Sequence, residues 1–236
     1  MPTLSSPPVS SRISPWFRAI AYPLGHHLVM PYYFSAIEIH GQDNIPRTGP
    51  VILAPTHRSR WDALLVPYAT GRNITGRYLR FMVSADEMRG LQGWVIRRLG
   101  CFPVNTRRVK SATLTHGVEL LQREEMLVIF PEGNIYRQPQ VARLKRGLAT
   151  IALQAQARCS PAEPIKIVPI SLNYSQPIPR QGCAARVQIG AAIAVSDYAG
   201  QSLKTASQAL TQDLAQRLQQ LQALGQFPAA IESGVC

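Results

Sequence analysis

Two residues that could handle a proton together, His57 and Asp62, lie five positions apart in the segment THRSRWD. An imidazole bonded to a carboxylate through one nitrogen has a fixed tautomer, and its other nitrogen can accept a proton. Five residues of a regular helix turn by about 500°, so both side chains cannot meet within one helix. They can meet if His57 lies on a loop and Asp62 lies in the first turn of the next helix, where the helix dipole favours a carboxylate. A merely hydrogen-bonded surface histidine is the competing interpretation.

A second candidate segment is LVIFPEGNIYR, in which an apolar run leads directly into Glu132 and Gly133. In α/β sheets, ligands bind beyond the carboxyl ends of the strands, where these two residues would lie. Gly133 would let the backbone approach a ligand closely, and Glu132 would supply a carboxylate. A strand-to-turn junction with a solvated glutamate is the alternative.

The elements that must position these residues alternate along the chain. Apolar runs predict strands at residues 51–54, 80–84, 101–104, 126–130, 165–174 and 186–195. Helical periodicity predicts helices at residues 62–69, 87–99, 111–123, 146–158 and 202–224. This alternation indicates an α/β fold with a mostly parallel central sheet flanked by helices.

The N-terminal part of the chain differs in character from the rest. Residues 1–14 are rich in Ser and Pro, which predicts a flexible tail. Residues 15–37 are apolar and aromatic but contain two histidines and two prolines, which is typical of an amphipathic helical segment at a membrane interface rather than a spanning helix. An ordinary packed helix is the alternative. Residues 38–236 are predicted to form a single catalytic domain.

The charge is strongly basic, with 25 Lys and Arg against 13 Asp and Glu, a net charge of +12 and a pI near 10.1. Ten of the arginines, against three acidic residues, lie between residues 57 and 108. Such a surface favours phosphate groups or an anionic membrane face. A non-catalytic basic protein that binds membranes or nucleic acid would also be basic, but few aromatic residues stand between these arginines to stack on bases. We therefore expect no nucleic-acid partner.

The four cysteines have neither the spacing of a zinc site nor that of a disulfide framework, which favours a reducing compartment and predicts no metal. The first residues lack the charged-then-apolar pattern of a secretory signal. The expected location is the cytoplasmic face of a membrane, with peripheral or monotopic attachment.

The order and spacing of the two candidate segments resemble those of the glycerolipid acyltransferases typified by lysophosphatidic acid acyltransferase, over residues 40–195. The resemblance implies an α/β fold and transfer of a fatty acyl group from acyl-CoA or acyl carrier protein to a hydroxyl on a glycerol backbone. It implies no metal, no cofactor and no covalent nucleophile.

The matching blocks assign roles by resemblance. His57 and Asp62 match the family's HxxxxD block, which implies that His57 deprotonates the acceptor hydroxyl while Asp62 orients the imidazole. Glu132 and Gly133, within FPEG, match a block associated with acceptor binding. Lysophosphatidic acid is the expected acceptor and phosphatidic acid the expected product.

The chain also departs from the family pattern. Thr106 and Ile135 stand where the family has acceptor-binding arginines. Arg107, Arg108 or Arg137 could supply the bidentate guanidinium from a neighbouring position. Another lysophospholipid, or a different hydroxyl lipid, is therefore the alternative acceptor.

Overall fold

The computed structural model describes residues 14–104, 111–159 and 164–227. Within them the strands are β1 Phe34–His40, β2 Val51–Pro55, β3 Leu79–Ser84, β4 Phe102–Val104, β5 Met126–Val128, β6 Lys166–Tyr174, β7 Cys183–Ile189 and β8 Ile193–Ala194. The α-helices are α1 Pro15–Leu24, α2 Met30–Tyr33, α3 Asp62–Thr70, α4 Arg72–Thr75, α5 Gly90–Arg98, α6 Ser111–Gln122, α7 Gly147–Gln156 and α8 Leu203–Gly225.

The strands form one mixed sheet in the order β1-β7-β6-β2-β5-β3-β4, with β8 also paired to β6. All neighbouring pairs are parallel except β6 with β7 and β6 with β8. The prediction of an α/β fold with a mostly parallel sheet is confirmed. The strand predicted at residues 186–195 is instead two short strands, β7 and β8, which follow one another along the same edge of β6.

Helices cover both faces of this sheet. Ile52 in β2 belongs to a core shared with α6, α7 and α8, whereas Val51 and Leu53 face a second core that includes α3 and the N-terminal segment. Every residue of β2 is buried. A strand covered on both faces is apolar throughout, which explains why the run before His57 lacks an alternating pattern.

The N-terminal segment is helical for a shorter distance than predicted. A π-helical stretch, Gly25–Val29, joins α1 to α2, and the helical part ends at Tyr33 instead of residue 37. The next residues form β1, which pairs in parallel with β7. The sequence FSAIEIH alternates between apolar and polar residues, which suits an edge strand with one covered face. This two-residue alternation is hard to recognise because it directly follows a long apolar helical stretch. Except for Ser14, the tail predicted at residues 1–14 lies outside the described residues.

The outer face of the N-terminal segment is apolar. The large side chains exposed on it occur at every fourth position, and they are Trp16, Ile20, Leu24, Leu28 and Tyr32. Within the described residues, every helix is either too short or too polar to span a membrane.

Helix α8 provides a test of the layered packing. Leu214 of α8 is buried in the core beneath the sheet, whereas Leu224 of the same helix is largely exposed. We expect Leu214→Ala to lower the free energy of unfolding by about 2–5 kcal/mol, because it leaves a cavity. Leu224→Ala is the matched control and should change it by no more than about 0.5 kcal/mol. Urea unfolding followed by circular dichroism measures both, and equal losses would contradict the packing of α8 described above.

Candidate active site

The candidate base lies where the central strand β2 ends. The backbone N–H of Thr56 donates to the carbonyl of Ile170 (2.9 Å), and the Thr56 hydroxyl accepts from the N–H of Leu172 (2.9 Å). Both partners belong to β6, so the chain is fixed to the neighbouring strand immediately before His57. Helix α3 then begins at Asp62. The predicted arrangement, with a histidine on a loop and an aspartate in the first helical turn, is present.

His57 and Asp62 are in direct contact. His57 Nδ1 lies 2.8 Å from Asp62 Oδ2, and the same oxygen accepts the backbone N–H groups of Arg58 (2.6 Å) and Ser59 (2.9 Å). The Asp62 side chain is 0% exposed, whereas that of His57 is 19% exposed. The ionised carboxylate can only accept, so Nδ1 carries the proton and Nε2 is left as the basic nitrogen. Two side chains predicted to act together are thus brought together.

Tyr174, the last residue of β6, holds the other oxygen of the aspartate. Its hydroxyl donates to Asp62 Oδ1 at 2.5 Å. Burial and the negative charge of Asp62 raise the pKa of Tyr174 well above its usual value, so the phenol keeps its proton. This contact could not be predicted from the sequence, because only the folded sheet brings β6 beside the start of α3.

Glu132 lies beneath the histidine loop and is 0% exposed. Its Oε2 accepts the backbone N–H of His57 (2.7 Å), and its Oε1 accepts the N–H of Ala142 (2.8 Å). The Arg58 guanidinium donates to both oxygens at 3.0 Å. Glu132, predicted to bind the acceptor, is therefore engaged by three protein groups, of which His57 and Arg58 join its loop to the loop of His57.

Arg58 is a buried part of the site that could not be predicted from the sequence. Its side chain is almost fully buried, and it also donates to the carbonyl of Tyr136 (3.1 Å). The N–H of Tyr136 in turn donates to the carbonyl of His57 (2.8 Å). The sequence shows Arg58 as one of many arginines in a basic stretch, and no local signal separates it from the solvated ones.

The FPEG turn also shapes the surroundings of the imidazole. The His57 ring stacks on Phe130, with centroids 4.0 Å apart and an angle of 23° between the planes. Gly133 has φ +71°, and a Cβ there would lie 2.8 Å from the side chain of Lys145. Glycine suits this backbone conformation, which other residues rarely adopt, and it permits the close approach of Lys145. Its predicted contact with a ligand stays a prediction.

The three arginines predicted to bind phosphate differ in what the structure shows. Arg137 is exposed and follows Tyr136 on the loop after FPEG, whose backbone bonds to that of His57. Arg107 and Arg108 lie outside the described residues.

Comparison with known proteins decides the family. The family model described as Acyltransferase matches residues 36–173, which is more than half of the chain. The chain belongs to the acyltransferase family. The resemblance inferred from the HxxxxD and FPEG blocks is thereby confirmed, and all four residues singled out in those blocks lie within the match.

Individual relatives are distant. The chain is 24% identical over 129 residues to 1-acyl-sn-glycerol-3-phosphate acyltransferase of Bacillus subtilis, covering 54% of this chain and 62% of that protein. It is 28% identical over 160 residues to mitochondrial glycerol-3-phosphate acyltransferase 1 of Sus scrofa, covering 61% of this chain and 19% of that protein. The matches therefore span less than two thirds of either relative.

A solved structure shares the fold of the chain. The 1-acyl-sn-glycerophosphate (LPA) acyltransferase PlsC from Thermotoga maritima superposes with a TM-score of 0.58 at 17% sequence identity, covering 82% of this chain and 74% of that one. At this identity the similarity concerns the architecture of the mixed sheet and its helices.

The buried pair of Arg58 and Glu132 gives a test of the site's construction. Glu132→Gln removes the counter-charge of a buried guanidinium, so we expect the free energy of unfolding to fall by about 3–5 kcal/mol. Glu38→Gln is the matched control, because Glu38 pairs with Arg186 on the surface and its loss should be much smaller. Urea unfolding measures both variants. A Glu132→Gln protein as stable as the Glu38→Gln protein would show that the pair does not hold the loops together.

Proposed function

We propose that this protein transfers a fatty acyl group from acyl-CoA or acyl carrier protein to the free hydroxyl of lysophosphatidic acid, forming phosphatidic acid in phospholipid biosynthesis. The observation that carries the proposal is the partly exposed His57, whose Nδ1 is held by the buried carboxylate of Asp62 at 2.8 Å. This arrangement leaves one nitrogen, Nε2, available as a general base.

The chemistry follows from that nitrogen. Nε2 of His57 removes the proton of the acceptor hydroxyl while the oxygen attacks the carbonyl carbon of the thioester. The tetrahedral intermediate collapses, the carbon–sulfur bond breaks, and the departing thiolate takes the proton back from the imidazolium. Asp62 keeps the ring in the required tautomer and balances its transient positive charge. The products are an ester and a free thiol, and His57 returns to its starting state.

The phosphate of the acceptor requires a cationic partner near the base. Arg137 is exposed on the loop whose backbone bonds to that of His57, and a guanidinium can bind a phosphate through two parallel hydrogen bonds. We assign acceptor binding to Arg137, together with Arg107 and Arg108. We further propose that Glu132 and Gly133 contribute to acceptor binding by shaping the FPEG turn, since both oxygens of Glu132 are bonded within the protein.

Replacement of the base tests the reaction itself. We expect His57→Ala to lower kcat at least about a hundredfold, because the acceptor hydroxyl loses its general base. His40→Ala is the matched control, since His40 lies on β1 with its side chain largely exposed. The measurement is thiol release from acyl-CoA with and without lysophosphatidic acid, together with binding to liposomes, which should be unchanged. Transfer that survives in His57→Ala would show that the base is assigned wrongly.

The identity of the acceptor is tested by a panel with one acyl donor. It compares lysophosphatidic acid with a second lysophospholipid, a phosphate-free monoacylglycerol and glycerol 3-phosphate. The last is included because both kinds of acceptor occur in the names of the relatives. The proposal expects the highest kcat/KM for lysophosphatidic acid. A clear preference for any other member would replace it as the substrate.

The N-terminal segment supports a membrane location. Its inner face packs on the domain through aromatic pairs such as Phe17 with Trp94 (5.5 Å) and His26 with Tyr68 (4.5 Å). Its outer face exposes the apolar row from Trp16 to Tyr32. Apolar side chains on one side of a segment, combined with a charge of +12, favour binding at the surface of an anionic membrane. We propose peripheral or monotopic attachment at the cytoplasmic face, because the cysteines lack disulfide spacing.

Vesicle binding tests this attachment. Leu28, which is 60% exposed, should enter the interface, and burying a leucine contributes about 1.5–3 kcal/mol. We therefore expect Leu28→Ser to weaken binding to anionic vesicles on the order of tenfold. The matched control is Leu203→Ser, at an exposed leucine on α8. Equal binding by both variants, measured by vesicle sedimentation, would contradict insertion of this face.

A further inference from the structure

Both oxygens of the Asp62 carboxylate have protein donors. Oδ2 accepts from the imidazole of His57 and from two backbone amides. Oδ1 accepts from the Tyr174 hydroxyl at 2.5 Å, which is at the short end of the range for O–H···O bonds and typical of a charged acceptor. Because Asp62 is fully buried, this phenol replaces the water that an exposed carboxylate oxygen would bind.

Tyr174 is itself held in one place. Its backbone pairs with Ala185 at the end of the antiparallel β6–β7 ladder. Its ring stacks on the buried Phe34, with centroids 6.0 Å apart and planes at 23°. The paired strand end and the stacked Phe34 ring therefore restrict the side chain of Tyr174 and keep its hydroxyl on Asp62.

The phenol acts as a hydrogen-bond donor and is neither an acid nor a base in the reaction. Burial and the Asp62 charge raise the pKa of Tyr174 well above its usual value, so the hydroxyl stays protonated at neutral pH. A group that keeps its proton cannot serve as an acid or base during turnover. Its contribution must be geometric and electrostatic.

We propose that Tyr174 is a positioning residue for the reaction, fixing the carboxylate plane of Asp62 so that Oδ2 faces Nδ1 of His57. The torsion that turns a carboxylate has broad, two-fold minima, so a single bonded oxygen does not define the plane well. With Tyr174 on Oδ1, both ends of the carboxylate are fixed. The phenol also takes up part of the carboxylate's negative charge and so limits how strongly Asp62 attracts the Nδ1 proton. The kinetic consequences rest on the proposed function, whereas the hydrogen bond does not.

Tyr174→Phe removes the hydroxyl and keeps the ring that packs on Phe34. We expect kcat to fall about tenfold or more, which is the effect of losing one hydrogen bond to a charged group, while KM for the acceptor stays unchanged. Tyr198→Phe is the matched control, because the Tyr198 hydroxyl also donates to an aspartate, Asp213, at 2.7 Å but lies on a structural contact between the 3-10 helix Val195–Tyr198 and α8. Its kcat should equal that of the wild type.

A double variant tests whether Tyr174 acts through Asp62. In an Asp62→Asn background, Tyr174→Phe should cause little further loss of kcat, because the carboxylate that it positions is already gone. A further fall by the same factor as in the single variant would overturn the proposal. So would an increase in KM for the acceptor at unchanged kcat, because that would place Tyr174 in contact with the substrate.

A spectroscopic measurement separates this inference from the proposed function. The proton between His57 Nδ1 and Asp62 should give a downfield proton resonance in NMR, which His57→Ala removes. We expect the resonance to move further downfield in Tyr174→Phe, because Asp62 becomes a stronger acceptor, and to stay in place in Tyr198→Phe. An unmoved resonance in a folded Tyr174→Phe protein would overturn the positioning role even if acyl transfer is demonstrated. Absence of acyl transfer by the wild type would instead overturn the proposed function and leave this result standing.

Discussion

The rest of the site depends on the contacts of the buried Glu132 carboxylate with His57 and Arg58. Strands β2 and β5 are parallel neighbours, so their carboxyl ends meet at one edge of the sheet, and the loops that leave them carry His57 and Glu132. Glu132 accepts the backbone N–H of His57 and pairs with Arg58 in the interior. A buried carboxylate is tolerated only where donors satisfy it, so the two loops fold against each other or leave a charge unpaired. The HxxxxD and FPEG blocks are therefore two sequence signatures whose loops are bonded directly to each other.

The need to satisfy buried carboxylates with donors also accounts for the surroundings of Asp62 and Glu132, which lie deeper than the His57 imidazole. Asp62 and Glu132 are both fully buried, and each is surrounded by donors from backbone and side chains. Only His57 of the three reaches solvent, and its ring is fixed from one side by Asp62 and from the face by Phe130. An imidazole held in this way could act as the proposed base without large rearrangement of the groups around it. The geometry therefore suits acyl transfer to an alcohol.

The sequence predicted those parts of the molecule whose signal is local. Strand β2 and helix α3 follow from a continuous apolar run and the residues after it, and the meeting of His57 with Asp62 follows from the boundary between them. The roles of Arg58 and Tyr174 could not be predicted, because their partners lie 74 and 112 positions away in the chain. The edge strand β1 was missed for a different reason. Its alternating pattern follows a helical apolar stretch without a turn residue, so composition alone extended the helix to residue 37.

The end of the N-terminal segment contacts the site on two sides, which links the proposed membrane attachment to the catalytic geometry. The ring of Tyr33 lies 3.7 Å from that of Trp61, the residue directly before Asp62, and Phe34 stacks on Tyr174, which bonds to the Asp62 carboxylate. Aromatic pairs of this kind contribute about 0.5–1.5 kcal/mol beyond the effect of their buried area. A segment that only tethered the enzyme to a bilayer would need no contact with residues around the base. Because this one packs against Trp61 and Tyr174, the position of His57 relative to the apolar outer face is set by the fold. Under the proposed function, a lipid acceptor lying in the membrane interface would therefore meet His57 at a defined depth.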